Sequence, residues 1–305
     1  MHIFIHQAMH GSLPPPPPLL KLAVVMGIIV IVAILLAVLV AVWNKANIDV
    51  QMLSHEHLCE TIESQPSIWD LRLPRASATW MTDLVPKIVH HTAPSDKGKW
   101  PPLWHKCYSS FLTEFPEPEY KHVMWTDEDI IDFVRNKFPS FSPMFMAYKS
   151  LIHRVDVVRY LLLYMYGGIY ADMDVICYRN FYRQLPRGKA SIAESPHLTD
   201  VYKEEYQNAL MASPALHPFW HYVMSEVLAQ AKRCPLSEVL HKTGPQVIIR
   251  SIFTAPHEFV HSLPKAQFAP SSEVHANDER DIKYTISKAQ GIVYASHLGT
   301  CKWCK

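Results

Sequence analysis

The sequence predicts an α/β fold with a mainly parallel central sheet, preceded by one N-terminal transmembrane helix. Two observations indicate this fold class. Short apolar stretches alternate with longer amphipathic ones after residue 80, a pattern typical of α/β domains. An unbroken apolar run of 22 residues occupies positions 22–43. The formal net charge of +1 over 305 residues gives no support for nucleic acid as a partner.

The apolar run at 22–43 predicts a membrane anchor, because about 20 apolar residues at 1.5 Å rise each cross a bilayer. A cleaved signal peptide is the alternative. Its apolar core usually has about 7–15 residues and ends in small residues. This run is longer and ends at Trp43, a residue suited to the membrane interface. We therefore expect an uncleaved signal-anchor.

The anchor divides the chain into predicted segments. These are a proline-rich cytosolic tail at 1–21, the anchor at 22–43, a stem at 44–80 and a folded domain at 81–305. A short tail before the anchor and the globular mass after it favour a single-pass type II orientation. The folded domain would then lie in the lumen of the Golgi or the ER. Six cysteines permit disulfides there. The terminal pair Cys301 and Cys304 predicts one disulfide or two free thiols rather than zinc, because no second C-x-x-C exists.

The folded domain reads as alternating strands and helices. Strands are predicted at 85–91, 120–125 and 169–176, and helices at 104–111, 148–166 and 217–231. Thr126, with Asp129 three residues later, predicts a helix start, so the pair Asp127 and Asp129 is assigned to capping. Gly167 and Gly168 suit a left-handed helix end.

The candidate site centres on Asp172 and Asp174. An Asp-x-Asp pair alone is weak evidence, but these two follow a Gly-Gly break and an apolar strand start. They should therefore lie at the carboxyl edge of the sheet, where open α/β sheets bind ligands. Two carboxylates there can hold Mn²⁺ or Mg²⁺, which prefer oxygen ligands. No basic residue adjoins them in the sequence.

The helix before these aspartates carries charges within an apolar stretch. Asp156 and Arg159 are three residues apart and so share a helix face. A solvated ion pair is the alternative, but the neighbouring valines and leucines indicate a buried helix. Buried charges need partners or a ligand, and we expect Asp156 and Arg159 to bind a ligand.

The run IHRVDVVRYLLLYMYGGIYADMD at 152–174 resembles the signature of the DXD-containing glycosyltransferase family. That family includes the fungal initiating α-1,6-mannosyltransferase and the inositol-phosphorylceramide mannosyltransferases. VPKIVHHT at 85–92 resembles its opening strand, with His91 where Gln is usual, and VMWTDEDI at 123–130 resembles its second strand. Weaker similarity continues through Asn208, the Thr243-Gly244-Pro245 triplet, His297 and Trp303. The resemblance covers about 84–303 and implies a nucleotide-sugar transferase fold of the GT-A type.

The resemblance also implies roles for the charged residues. Asp156 and Arg159 would contact the donor sugar and its phosphate. Asp172 would reach the ribose or the sugar, and Asp174 would be the main protein ligand of the metal. His297 would complete the metal shell, since imidazole is a suitable Mn²⁺ ligand.

Three further residues are expected near the nucleotide on the same basis. His90 and Thr92, at the end of the first strand, would lie beside it, and Tyr170 would pack against the base or the sugar. Trp125 is expected in the core rather than stacked on the base.

The implied activity is a metal-dependent retaining glycosyltransferase, with Mn²⁺ or Mg²⁺ as cofactor. It would move a sugar, mannose from GDP-mannose being the expected donor, to a glycan or glycolipid acceptor. One alternative is a catalytically inactive, membrane-tethered glycan-binding protein with a transferase fold. Another is a haloacid-dehalogenase-type phosphatase, which also places Asp-x-Asp after a strand but requires a later acidic pair. The sequence does not determine the sugar, the acceptor, the linkage or the oligomeric state.

Overall fold

The computed structural model describes Leu73 and residues 75–195, 206–232, 242–270 and 292–299. All of these belong to one compact unit of the chain, His57–Lys305. The predicted tail and anchor, most of the stem, and the Cys301 and Cys304 pair lie outside the described residues. Within the described ranges, no helix is long and apolar enough to cross a membrane.

The described strands form a six-stranded sheet and a small two-stranded one. In chain order they are β1 (Ile88–Thr92), β2 (Lys121–Trp125), β3 (Gly168–Ala171), β4 (Val175–Cys177), β5 (Ala190–Glu194), β6 (Tyr206–Ser213), β7 (Val260–Leu263) and β8 (Ala295–His297). The large sheet has the order β2-β1-β3-β6-β5-β7. Only β6 runs against its neighbours β3 and β5, while β1 is parallel to β2 and β3, and β5 is parallel to β7. The prediction of a mainly parallel sheet is confirmed.

The helices lie between these strands along the chain. They are α1 (Pro102–Glu114), α2 (Asp127–Lys137), α3 (Ser142–Ala147), α4 (Leu151–Tyr166), α5 (Phe219–Lys232), α6 (Pro245–Thr254) and α7 (Lys265–Phe268). At the start of α2 the Thr126 side chain accepts a hydrogen bond from the Asp129 amide at 3.2 Å, and the Asp129 carboxylate accepts from the Thr126 amide at 2.9 Å. The assignment of this acidic pair to capping is confirmed.

Helix α4 is shorter than predicted, because Ser150 has extended backbone angles and the helix begins after it. Most of α4 is buried, and its leucines and aromatic residues pack in the main core with α2, α3, α5 and α6. The helix ends at Gly167 with φ +62°, and Gly168 follows with φ +95°. A Cβ on Gly168 would lie 2.5 Å from the Ile88 carbonyl oxygen, so only glycine lets α4 turn directly into β3 beside β1.

The single strand predicted at 169–176 is wrong. Strand β3 ends at Ala171, and Asp172 to Asp174 form a turn before β4, which pairs with β8 in the second sheet. The Asp172 amide still donates to the Ala209 carbonyl of β6 at 2.9 Å, and the Val175 amide then donates to the Asp172 carbonyl at 3.0 Å. Both aspartates therefore lie in a turn at the carboxyl end of β3, the sheet edge that the sequence predicted.

Candidate active site

A buried ion pair on α4 forms the base of the site. Nη2 of Arg159 lies 3.2 Å from Oδ1 of Asp156, and the two side chains are only 3% and 6% exposed. Asp156 also accepts hydrogen bonds from the side-chain amide of Asn208 at 2.9 Å and from the Thr243 hydroxyl at 3.0 Å. Every charge of this pair is thus met inside the protein, as buried charges require.

Arg159 connects this pair to the Asp-x-Asp turn. Its Nη1 donates to Oδ2 of Asp172 at 2.9 Å and to the Asn208 carbonyl at 2.8 Å, and its Nε donates to the Val155 carbonyl at 3.4 Å. One guanidinium therefore contacts both Asp156 and Asp172, each through a different terminal nitrogen. The planar fork of arginine suits such a bridge, whereas a lysine ammonium is a point charge.

The residues Asp156 and Arg159 were predicted to touch the donor, and the structure accounts for their charges with protein partners instead. Direct donor contact by these two stays a prediction. Burial raises the pKa of the Asp156 carboxyl to about 6, against the attraction of the Arg159 guanidinium. The two neighbouring carboxylates raise the pKa of Arg159 despite its burial, so this side chain stays charged.

Asp172 is the more accessible carboxylate of the bridge, with 24% of its side chain exposed. Its Oδ1 accepts a hydrogen bond from the Tyr170 hydroxyl at 2.8 Å, and Arg159 occupies its Oδ2. Burial raises the pKa of Asp172, and the negative charge of Asp174 adds to the rise, against the attraction of Arg159. The site therefore concentrates negative charge at the turn, which a cation would relieve.

Tyr170 supports this arrangement from below. Its ring has no exposed surface, and the Arg159 guanidinium lies 4.9 Å from its centroid. Its hydroxyl also lies 2.8 Å from the Thr92 hydroxyl. The predicted packing of Tyr170 on a base or sugar finds no open ring face here. The Tyr170 hydroxyl orients Asp172, and Thr92 contacts that hydroxyl; the approach of Thr92 to the nucleotide stays a prediction.

His90 is buried in the sheet, 1% exposed, rather than open to a nucleotide. Nε1 of Trp125 donates to its Nδ1 at 3.1 Å, so the proton of the neutral ring lies on Nε2, which donates to the Gly167 carbonyl at 3.0 Å. Burial lowers the pKa of His90 to about 4. His90 thus ties β1 to the glycine turn that ends α4, and Trp125 packs against the core as predicted.

Asp174 and His297 form the second accessible pair of the site. Nε2 of His297 lies 3.2 Å from Oδ1 of Asp174, and the side chains are 25% and 14% exposed. The Leu298 amide donates to the Asp174 carbonyl at 2.9 Å, which fixes the end of β8 beside the turn. Burial lowers the pKa of His297, but the charge of Asp174 outweighs this effect and the net pKa is raised.

The chemistry of these donors fits a divalent cation. A carboxylate and an imidazole are suitable Mn²⁺ ligands, and metal binding would displace the proton that Asp174 favours on His297. In the part of the chain that the structure describes, no three His, Cys, Asp or Glu side chains form a preassembled cluster. Of the predicted metal set, the structure pairs Asp174 with His297 and pairs Asp172 with Arg159.

No basic residue is next to the two aspartates in the sequence, but Arg159 contacts Asp172 in the folded structure. Sequence reasoning also missed Tyr160, whose hydroxyl donates to the Thr243 carbonyl at 2.7 Å and accepts from the Asn208 amide at 3.0 Å. Its position four residues after Asp156 places both side chains on one helix face, which was the available signal.

His91 gives a testable pH dependence. Nδ1 of this buried ring donates to the Ala171 carbonyl at 2.8 Å, and Nε2 has no hydrogen-bond partner among the described residues. Burial lowers the pKa of His91 from 6.5 to about 3. Because the folded pKa lies below the unfolded one, the stability from neutral His91 is complete above pH 6.5 and is lost as the pH falls towards 3.

We expect His91→Gln to keep the bond to Ala171 through its amide and to remove this acid sensitivity. Between pH 6.5 and 4.5 the variant should lose about 2 kcal/mol less free energy of unfolding than the wild type. Denaturant unfolding across that pH range measures the difference. The same change at the exposed His257 should leave the pH dependence as it is. Equal acid loss in His91→Gln and wild type would contradict the assignment.

Part of the chain is similar to known glycosyltransferases. Residues 101–194 match the family described as glycosyltransferase sugar-binding region containing DXD motif. Inositol phosphoceramide mannosyltransferase 3 of Schizosaccharomyces pombe is 32% identical over 165 residues, covering 53% of this chain and 43% of that protein. Mannosyl phosphorylinositol ceramide synthase SUR1 of Saccharomyces cerevisiae is 30% identical over 166 residues, covering 53% and 40%. The chain thus spans less than half the length of these relatives.

Among solved structures, the PaToxG glycosyltransferase has a TM-score of 0.44 at 15% identity, over 69% of this chain and 77% of that one. The family match begins just before α1 and ends with β5. It covers Asp156, Arg159, Asp172 and Asp174, while Asn208, Thr243 and His297 lie beyond it. Residues 101–194 are therefore similar to the glycosyltransferase sugar-binding region containing the DXD motif, and the chain is similar to fungal mannosyltransferases.

Proposed function

We propose that the chain is a metal-dependent retaining glycosyltransferase that moves mannose from GDP-mannose to a glycan or glycolipid acceptor. The observation that carries this proposal is the Arg159 bridge, which holds Asp172 of the turn against Asp156 of the buried helix. The second support is the pairing of Asp174 with His297 at the same sheet edge. Together they support the proposal, because oxygen and nitrogen atoms suited to a cation lie beside a fixed carboxylate.

Asp174 and His297 would hold Mn²⁺ or Mg²⁺. When bound, the cation would neutralise the diphosphate leaving group of the donor. Asp172 has both oxygens oriented, by Arg159 and by Tyr170, so it can accept hydrogen bonds from a ribose or sugar hydroxyl without rearrangement. Such preorganised polar groups stabilise charge in a transition state at little reorganisation cost.

Arg159 supplies the positive charge of the site from beneath Asp172. Its burial limits screening by water, so it holds Asp172 in place more firmly than a surface arginine would. Retention of the donor's α configuration follows from the family resemblance. The departing diphosphate oxygen would take the acceptor's proton, and the protein would contribute position and charge.

The acceptor class is suggested by the relatives. One is named an inositol phosphoceramide mannosyltransferase and the other a mannosyl phosphorylinositol ceramide synthase. We extend this class to the present chain as a proposal, because only part of those proteins is matched.

The identity of the donor can be tested directly. The full-length chain in detergent is incubated with Mn²⁺ and a panel of nucleotide sugars, and release of free nucleotide is measured. We expect GDP-mannose to be the preferred donor. Release from another nucleotide sugar would correct the donor and keep the transferase. Binding of nucleotide sugars without release or transfer would favour the inactive glycan-binding protein.

The proposed location is the membrane of the Golgi or ER, with the catalytic domain in the lumen and residues 22–43 as anchor. We expect the full-length chain to remain in the pellet after alkaline carbonate extraction. In sealed vesicles, the part after residue 44 should be protected from added protease. Replacing residues 22–43 by a cleavable signal peptide provides the control, which should release a soluble chain. Recovery of a soluble, N-terminally processed wild-type chain would contradict the anchor.

A further inference from the structure

The N-terminus of α4 lies at the other end of the polar stripe that leads to the aspartates. His153, Asp156 and Arg159 follow at intervals of three residues and so share one helix face. From the rise of 1.5 Å per residue, His153 lies roughly 9 Å along the axis from Arg159.

This helix end has the electrostatic character of an anion site. The 16-residue helix begins after Ser150, which makes no side-chain cap, and its first turn contains no acidic residue. The first amide N–H groups of a helix have no partner within it, and its dipole favours negative charge. Lys149 and Arg154 flank the same end and add positive charge.

Buried Tyr148 and half-buried His153 lie at the same place, and each has a buried polar atom without a hydrogen-bond partner among the described residues. The rings of Tyr148 and His153 stack, with their centroids 5.4 Å apart and an angle of 1° between the ring planes. Tyr148 is 5% exposed, and neither its hydroxyl nor Nε2 of His153 has a partner. The negative charge of Asp156 reaches the Tyr148 hydroxyl and, after burial, contributes to the raised pKa of that group.

Lys242 supplies a buried cation to this group. It is 8% exposed and immediately precedes Thr243, whose hydroxyl donates to Asp156. Burial lowers the pKa of Lys242, and its charge adds to the burial that lowers the pKa of His153 to about 4. In the described part of the chain, no carboxylate pairs with Lys242. A buried ammonium without a carboxylate partner is suited to an anionic ligand.

We propose that Tyr148, His153, Lys242 and the N-terminus of α4 bind a phosphate ester of the acceptor. The inference rests on the proposed transferase function and extends it by locating the acceptor. The ammonium and helix amides would bind the phosphate oxygens, and the phenol would donate one hydrogen bond. The acceptor hydroxyl would lie on the same face of the transferred sugar as the departing diphosphate, whose oxygen takes its proton.

The test measures binding to the full-length chain in detergent with Mn²⁺, using myo-inositol 1-phosphate, inorganic phosphate and GDP as probes. We expect Lys242→Gln to weaken binding of myo-inositol 1-phosphate about 10- to 100-fold and Tyr148→Phe about 5-fold. Both should leave GDP binding unchanged. Tyr148→Phe removes a hydroxyl without a protein partner, so its melting temperature should not fall. Lys137→Gln, an exposed lysine with the same charge change, is the matched control.

The outcomes separate this inference from the proposed function. Suppose that wild type binds GDP with Mn²⁺, and that Lys242→Gln and Tyr148→Phe bind both phosphate probes as tightly as wild type does. The phosphate site is then overturned and the transferase proposal stands. If the two variants instead weaken the binding of GDP, Lys242 and Tyr148 belong to the donor site. Equal, Lys242-dependent binding of inorganic phosphate would assign the site to free phosphate and overturn the acceptor. Failure of wild type to bind GDP or GDP-mannose would count against the transferase itself.

Discussion

Arg159→Lys is expected to lower the rate of sugar transfer by about 30- to 1000-fold while keeping the positive charge of the site. The guanidinium of Arg159 contacts Asp156, Asp172 and the Asn208 carbonyl with separate nitrogens. A lysine ammonium reaches only part of this set, so Asp172 would lose its fixed orientation. Steady-state kinetics per folded molecule, with kcat and the donor KM determined separately, measures the loss.

Arg159→Ala should behave differently from Arg159→Lys. It would leave two buried carboxylates without their cation and should cost about 3–5 kcal/mol of folding free energy. The lysine variant therefore tests function more cleanly than the alanine variant. Arg250→Lys is the matched control, because Arg250 also pairs with an acidic residue, Glu226, but lies on α6 outside the site. Wild-type kcat and KM in Arg159→Lys would show that the bridge is only structural.

Asp174→Asn is expected to abolish metal-dependent donor binding. Asp174 is the carboxylate paired with His297, and an amide oxygen is a weaker ligand than a carboxylate for Mn²⁺ or Mg²⁺. Calorimetry with GDP-mannose should show binding in wild type with Mn²⁺ and at least about a 100-fold loss in the variant. The circular dichroism spectrum should remain that of the wild type, because Asp174 lies in a turn and its side chain is not part of a hydrophobic core cluster.

The chain contains its own control for this substitution. Asp127→Asn makes the same chemical change in the other Asp-x-Asp pair, which caps α2. It should leave metal-dependent binding unchanged. Full donor binding by Asp174→Asn would show that the Asp-x-Asp turn is not the metal site.

The position of the site could be predicted because it depends on local pattern. The glycine pair ends α4, β3 follows at once, and the aspartates come directly after β3. Hydrophobic periodicity and turn residues therefore locate Asp172 and Asp174 at a sheet edge without knowledge of the rest of the chain. The same logic failed at 169–176, because apolar residues continue on both sides of the turn and pattern alone does not reveal that β4 joins a second sheet.

The depth of each side chain could not be predicted, because it depends on partners far along the chain. Asp156 accepts a hydrogen bond from Thr243, which is 87 residues away in the sequence. Arg159 donates one to the Asn208 carbonyl, which is 49 residues away. These contacts bury Asp156 and Arg159 beneath Asp172. Likewise, the family resemblance placed Tyr170 near the ligand, but its contacts with Arg159 and Thr92 make it a support. A family resemblance predicts which residues belong to a site more readily than it predicts which of them are buried and which are accessible to a ligand.

The most direct measurement of the central claim is nucleotide release from GDP-mannose by the full-length chain, with Mn²⁺ and then with EDTA. Release should require Mn²⁺ or Mg²⁺, stop when EDTA is added and resume when excess metal is restored. The domain should stay folded throughout, because its two large core clusters do not include the Asp-x-Asp turn. Undiminished sugar transfer by metal-free protein would contradict the account, since Asp172 and Asp174 would then act without a cation.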